Sequence, residues 1–264
     1  MILSELLENK SIEVRKLIIE MLYLAGSGHP GSSLSSVEII TNIVSSKIDW
    51  NSADRERFVL SKGHAAPALY SALVVSGLMD QSEIKNLRKI GSSLQGHPDR
   101  RKNTLIDAGT GALGQGLSIS IGYAIGDLMN KKNKLTFCLL GDGELQEGQI
   151  WEAALFASAR KLSNLCCFID VNRMQNERET ENTLSMGNLN HKFDSFGWNV
   201  IEIDGHNHLE INKAIDLAKN SIDKPTMILA NTVKGKGISF MENAAHWHGK
   251  KIETQDYDNA MKEL

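Results

Sequence analysis

Long apolar runs are missing from this chain. None reaches the ~18–20 residues that span a bilayer, so no membrane partner is expected. Residues 1–10 carry acids at Glu5 and Glu8 and no extended apolar segment, and they do not read as a signal peptide. Cysteine is scarce, with three in 264 residues. Cys138, Cys166 and Cys167 lie inside apolar runs without CxxC spacing. That pattern reads as small buried thiols in a reducing compartment, and a cytoplasmic location is expected. Positive charge is not in excess either. The formal net charge of −3 removes the bulk basic field that nucleic acid or an anionic membrane surface would need. Any anionic ligand must be held locally, by backbone amides and a few side chains. No repeat, low-complexity tract or linker interrupts the chain, so residues 1–264 read as one domain with an irregular C-terminal tail beginning near Ile238.

What is present is an alternation of helices and strands. Residues 11–25 carry apolar side chains at helical spacing, with Ser11 a candidate N-cap. The breaker run Gly26-Ser27-Gly28-His29-Pro30-Gly31 stops that helix. A second helix is expected over 33–46, a short strand over 57–61, and helices over 65–76 and 81–90. Loop follows over 91–111, then a long helix over 114–131 whose many Gly, Ser and Ala residues predict close packing against another backbone. Apolar runs at 135–140 and 164–171 read as buried strands, with a helix over 149–160 between them. Residues 176–190 read as polar loop, and 193–196 lead into a strand over 198–203. A helix over 209–219 and a last strand over 225–232 complete the pattern. Strands alternating with helices predict an α/β fold, a parallel β-sheet covered by helices on both faces.

The most informative stretch is Gly141-Asp142-Gly143-Glu144, an acid on a glycine-flanked turn at the end of a strand. Asn172 ends the next strand. Neighbouring parallel strands would bring both polar tips to one edge of the sheet, where ligands of open α/β sheets sit. One carboxylate and one amide oxygen suit a hard divalent cation whose other ligands are diphosphate oxygens. Glu147 follows, either near a phosphate or as a helix-capping acid. His29, His64 and His97 each adjoin glycine on separate loops and suggest a shared rim. None has the i, i+4 spacing of a helical zinc site, and imidazoles around a polyhydroxylated or phosphorylated ligand fit better. The stretch from Asp107 to Gly116 looks like a phosphate loop but lacks the Lys-Ser/Thr ending of a P-loop and the spacing of GxGxxG. Its glycines also suit a turn needing positive φ and close helix packing. Lys234-Gly235-Lys236-Gly237 and Ala245-His246-Trp247-His248-Gly249 form a last polar cluster.

Taken in order, these motifs resemble the N-terminal half of transketolase. The shared elements are Ser27–Gly31, Leu60–His64 with Leu69-Tyr70, Gln95–Pro98, Gly109–Gly116, Gly141–Gly148, Asp170–Asn172, Ile203–His206, Lys234-Gly235 and His248-Gly249. The resemblance covers roughly residues 11–250 and implies thiamine diphosphate as cofactor, with Mg²⁺ or Ca²⁺. It implies Asp142 and Asn172 as side-chain metal ligands and the carbonyl of Met174 as a third. Gly143 corresponds to the diphosphate-contacting turn, and Gly114 and Gly141 fall in motifs of the cofactor site. His64 and His248 correspond to histidines on the diphosphate or donor-substrate side. His29 and His97 correspond to catalytic histidines that touch sugar hydroxyls and assist proton transfer. Glu147 matches an acid of the family's subunit-contact network. The implied activity is transfer of a two-carbon ketol unit between a ketose and an aldose, with sugar phosphates as expected substrates. The family's aminopyrimidine-binding and C-terminal domains have no counterpart in these 264 residues. The resemblance therefore implies a separate partner chain and an assembly of two copies of each. Ala112 stands where the family usually has proline, and His246 is offset from its second histidine near this end. A component of a split carboligase or decarboxylase, or a non-catalytic paralogue, are the alternatives. The presence of Asp142, Asn172, His29, His64 and His97 argues against the last.

Overall fold

The computed structural model describes residues 2–132, 134–176 and 178–264. The chain opens with α1 (Ile2–Ala25), α2 (Pro30–Leu34) and α3 (Val37–Asn42), the last running into a turn of π-helix at Ile43–Lys47. Next come β1 (Arg57–Leu60), α4 (Ala66–Val75), α5 (Gln115–Met129), β2 (Thr136–Gly141), α6 (Gly148–Ala159) and β3 (Leu165–Val171). A small hairpin of β4 (Met174–Gln175) and β5 (Arg178–Glu179) precedes α7 (Thr180–Leu184) and α8 (Leu189–Ser195). The chain closes with β6 (Asn199–Asp204), α9 (His208–Lys219), β7 (Thr226–Asn231) and α10 (Thr254–Glu263).

Side-chain alternation along the strands divides the core in two. Phe58 and Leu60 of β1, Phe137 and Leu139 of β2, Cys166 and Phe168 of β3, and Ile228 and Ala230 of β7 pack with α1, α3, α4 and α9. Their neighbours Cys138, Leu140, Cys167, Ile169, Met227 and Leu229 face the other way, against α5, α6 and Phe193 of α8. A strand buried on both faces can only be apolar throughout, which is why 135–140 and 164–171 read as continuous runs. The main sheet is wholly parallel, in the order β1-β2-β3-β7-β6. The expected α/β class, a parallel sheet covered on both faces, is therefore what forms. All strands run the same way, so the turns after β1, β2, β3 and β7 open on one edge. The three cysteines are free and buried, as expected. Among the described residues no helix is long and apolar enough to cross a membrane.

Several boundaries differ from expectation for identifiable reasons. Ser11 caps nothing: α1 begins at Ile2, and Ser11 lies buried inside it with its hydroxyl 3.0 Å from Nε2 of His208. The helix expected over 33–46 is broken at Ser35 and Ser36, whose hydroxyls bond to Asp170 at 2.6 and 3.2 Å. Residues 81–90 make only a 3₁₀ segment, Gln81–Asn86. The polar stretch 176–190 contains β5 and α7, and residues 193–196 finish α8 rather than leading directly into a strand. The tail turns through a 3₁₀ segment at Ala245–His248 and ends in α10, whose Tyr257 stacks on Tyr23 of α1 at 4.6 Å.

Close packing of α5 holds at one glycine and not at others. A Cβ on Gly116 would lie 2.6 Å from the Cα of Ser61, whereas a Cβ on Gly122 or Gly126 would meet nothing within 4 Å. Backbone cannot rotate away, so Gly116→Ala should destabilise the fold by about 1–3 kcal/mol. Gly122→Ala should instead stabilise it by roughly 0.5–1 kcal/mol through helix propensity. Urea midpoints of the two variants check this, and movement in the same direction would contradict the packing described.

Candidate functional site

The open edge of the sheet carries the chemistry. Gly141 of β2 pairs with Asp170 of β3, so the turns after these strands emerge side by side. Asp142 leaves β2 in helical conformation and is folded back onto its own turn. Its Oδ1 accepts from the amide of Gly143 at 2.7 Å and its Oδ2 from the amide of Arg173 at 2.5 Å. Asn172 leaves β3 with Oδ1 accepting from the Met174 amide at 3.0 Å and Nδ2 donating to Asp170 at 3.0 Å. Asp142, Asn172 and Met174 line one cavity of about 330 Å³, together with Gly141, Gly143, Glu147, His29, His64 and His248. Nine of the eleven residues expected at the site thus meet there.

Burial raises the Asp142 carboxyl to about 7, the nearby Asp170 charge adds to this, and the two amide donors and Lys62 oppose it. A carboxylate driven towards neutrality in this way is one that a bound cation would stabilise. Among the described residues no cluster of three or more His, Cys, Asp and Glu could hold a metal. One carboxylate with an amide and a carbonyl oxygen instead fits a hard cation that takes its remaining oxygens from an anionic ligand. A Cβ on Gly143 would come within 2.8 Å of the Gln175 side chain, so only glycine leaves this turn its shape.

Two buried acids, Glu144 in the cavity lining and Asp170 behind it, were not singled out from the sequence. Asp170 is fully buried and accepts from Lys62 Nζ, Thr232 Oγ1, Ser35 Oγ and Asn172 Nδ2. Burial pushes its carboxyl up, but the Lys62 ammonium and the hydroxyls outweigh that and hold it below the ordinary range. Lys62 also donates to the Ser32 carbonyl at 3.1 Å and to Ser36 Oγ at 3.0 Å. Glu144 accepts from Ser61 Oγ at 2.5 Å and from the amides of Gly114 at 2.8 Å and Gly141 at 3.0 Å. Gly114 therefore lies outside the cavity lining with its amide already committed, and its φ of +84° opens α5. The readable signal for Asp170 was a charge inside an otherwise apolar run, because a buried charge must be paired.

The histidines form a triangle rather than the expected rim. Ring centroids of His29, His64 and His248 lie 5.2–5.6 Å apart. Burial lowers all three, His29 and His248 to about 4, with Arg88 the next cause at His29, Lys62 at His64 and Lys234 at His248. They are neutral imidazoles at neutral pH. Lys234, fully buried and lowered to about 8 by burial and Lys62, lies 3.2 Å from Nδ1 of His248. An ammonium only donates, so Nδ1 accepts and the ring proton sits on Nε2. Nδ1 of His29 is buried without a hydrogen-bond partner among the described residues, a demand that a bound ligand would meet. His97 is not in the triangle. It lines an adjoining groove, separated from the cavity by Gly111, where a Cβ would be 2.9 Å from the imidazole. Glu147 is exposed at the cavity mouth and makes no side-chain cap to α6, so the capping alternative does not form.

The lowered histidines set an acid limit. In the unfolded chain they take up protons near 6.5, whereas His29 and His248 in the folded chain resist until about 4. Their contribution is complete above 6.5 and is lost as pH falls towards 4. The urea midpoint should fall across that window, and a His29→Asn/His248→Asn variant should show a shallower decline than the parent. Parallel profiles would contradict the neutral triangle.

Comparison with known proteins gives a consistent match. Residues 8–264 match the sequence family described as transketolase, thiamine diphosphate binding domain. The chain is 41% identical to the 6-deoxy-6-sulfo-D-fructose transketolase subunit SqwG of Clostridium sp. (strain MSTE9), covering 98% of this chain and 96% of that one. It is 36% identical to one of the named subunits of the apulose-4-phosphate transketolase of Phocaeicola vulgatus, covering 98% and 94%. The crystal structure of Campylobacter jejuni transketolase superimposes with a TM-score of 0.90 at 30% identity, over 98% of this chain and 42% of that one. The chain thus spans less than half the length of that transketolase and nearly the whole of the two named subunits.

Proposed function

The chain belongs to the transketolase family as a thiamine diphosphate binding domain, and from that premise we propose that it is the diphosphate- and metal-holding subunit of a split transketolase. The observation that carries this reading is the cavity of about 330 Å³ that Asp142, Asn172 and Met174 line together with the histidine triangle. Asp142, the Asn172 side-chain oxygen and the Met174 carbonyl would hold Mg²⁺ or Ca²⁺. Gly143 lets the backbone approach the diphosphate. Bound thiamine diphosphate supplies the carbon nucleophile that takes up the two-carbon ketol unit.

The chain's own residues orient the substrate and move protons. His64 and His248 sit on the diphosphate and donor side, where His248 presents an Nε2 proton. His29 and His97 hold sugar hydroxyls, and because both are lowered from the ordinary histidine value, each is neutral and can accept a hydroxyl proton. Glu147, exposed at the cavity mouth, is placed for contact with another chain. The site is completed by a separate polypeptide carrying the aminopyrimidine-binding domain, in an assembly of two copies of each. Support comes from SqwG and its apulose-4-phosphate counterpart, both of which are named as subunits and matched over nearly their full length. Those names also support an anionic sugar as substrate. The buried free thiols support a cytoplasmic location.

Reconstitution tests the reading. The chain alone should be nearly inactive, and adding its partner with magnesium and thiamine diphosphate should produce ketol transfer. Asp142→Ala in the pair should weaken cofactor binding roughly 100-fold or more at fixed magnesium, judged against the losses seen when supporting metal contacts are removed. Unchanged binding in a calorimeter would sink the metal assignment.

A further inference from the structure

A second cavity, of about 780 Å³, adjoins the cofactor cavity and shares His248, Gln175 and Asn176 with it. Its remaining walls are Arg178, Thr183, His246, Gly249 and Lys250. Among the described residues no carboxylate lines it, in a chain with 32 acids against 29 Lys and Arg. Four of its eight lining residues carry a guanidinium, an ammonium or an imidazole.

These groups are held in place from outside the cavity. The Lys250 ammonium lies 4.0 Å from the centre of the buried Trp247 ring and 3.4 Å from Asp256, so the charged head itself is held at the cavity wall by the ring and the carboxylate. Arg178 stands on β5, paired in register with Gln175 of β4, and makes no ion pair or side-chain hydrogen bond among the described residues. His248 is the wall between the two cavities. With its Nδ1 accepting from Lys234, its protonated edge is the one left for a ligand. Because the cavities share this wall, a sugar with its reacting end beside His248 in the first can extend its far end into the second.

We propose that this second cavity receives the terminal oxyanion of the sugar substrate, a phosphate ester or a sulfonate, and that Arg178 and Lys250 are its specificity-determining residues. The inference rests on the proposed ketol transfer and assigns anion recognition to residues of this chain. A guanidinium and an ammonium on this cationic wall match a tetrahedral oxyanion, the first in a bidentate manner and the second as a point charge. Both residues are exposed, so they can close on the anion without a buried charge being left unpaired in its absence.

The test is binding of sugars to the chain assembled with its partner, without thiamine diphosphate so that nothing turns over. D-xylulose 5-phosphate, 6-deoxy-6-sulfo-D-fructose and uncharged D-xylulose are titrated by calorimetry. Arg178→Ala and Lys250→Ala should each weaken binding of the charged sugars about tenfold or more, as for loss of a charge-assisted hydrogen bond. Affinity for D-xylulose should stay unchanged, and Lys250→Arg should keep most of the charged-sugar affinity. The larger loss, phosphate or sulfonate, identifies the anion the cavity serves. Equal losses for charged and uncharged sugars, no loss for either, or a parent pair that does not bind the charged sugars would overturn the assignment. A pair that discriminates the charged sugars yet shows no ketol transfer with cofactor restored would count against the proposed activity alone.

Discussion

The buried ion pair between Lys62 and Asp170 is the interaction on which the site depends. Asp170 lies near the end of the central strand β3, and Lys62 follows β1 two strands away. The pair also gathers Ser32, Ser35 and Ser36 from α2 and the turn before α3, and Thr232 from the end of β7. A buried pair gains little net stability once desolvation is counted, but breaking one typically costs about 3–5 kcal/mol because a charge is stranded. Its value here is positional. Asn172 is held through its amide nitrogen by Asp170, which leaves the amide oxygen directed towards Met174 and the cavity. The orientation of one proposed metal ligand is thus decided by a lysine beyond a different strand.

The same pair shapes the electrostatics around it. Asp170 raises Asp142, Lys62 lowers Lys234 and His64, and Lys234 lowers His248. The cavity therefore holds a carboxylate that favours a cation, two buried lysines and three uncharged imidazoles. Among the described residues, Lys62 is balanced by Asp170, whereas the Asp142 carboxyl has no cationic partner in contact and Lys234 bonds only to a neutral imidazole and a carbonyl, which suits the proposed binding of a cation together with an anionic ligand. The imidazoles stay neutral for a reason that has nothing to do with a ligand. They are buried, and they sit too close together and too near Lys62 and Lys234 to carry charge.

Much of this was legible in the sequence, and the limits follow a pattern. The strands were readable because burial on both faces demands unbroken apolar runs. Asp142, Asn172 and the glycine-flanked His29 and His64 were readable because each interrupts a regular element at its end. Glu144 and Lys62 stood in plain view inside the same motifs, yet their role is to bond backbone amides and a buried acid, which no local pattern reports. Ser35 and Ser36 lie within a helix-compatible stretch. The helix is interrupted where both hydroxyls reach Asp170, 135 residues from Ser35, a contact that exists only in the folded chain. His97 was grouped with the other histidines by its glycine neighbour, but Gly111 stands between them as a thin wall.

That wall and its counterpart at His248 divide the open edge into compartments. His97 approaches from one side across Gly111, and Arg178 and Lys250 from another across His248, while Asp142, Asn172 and Met174 occupy the middle. His248 is shared by the middle compartment and the cationic one, and its proton is fixed on Nε2 by Lys234. Lys234 is therefore tied to both neighbouring compartments at once. It lies in the wall behind the triangle, and it sets the tautomer of the residue that separates the cofactor cavity from the cationic one. Any partner that closes this edge meets a surface already sorted by charge, with the proposed cation ligands Asp142 and Asn172 buried and the exposed cationic side chains of Arg178 and Lys250 outward.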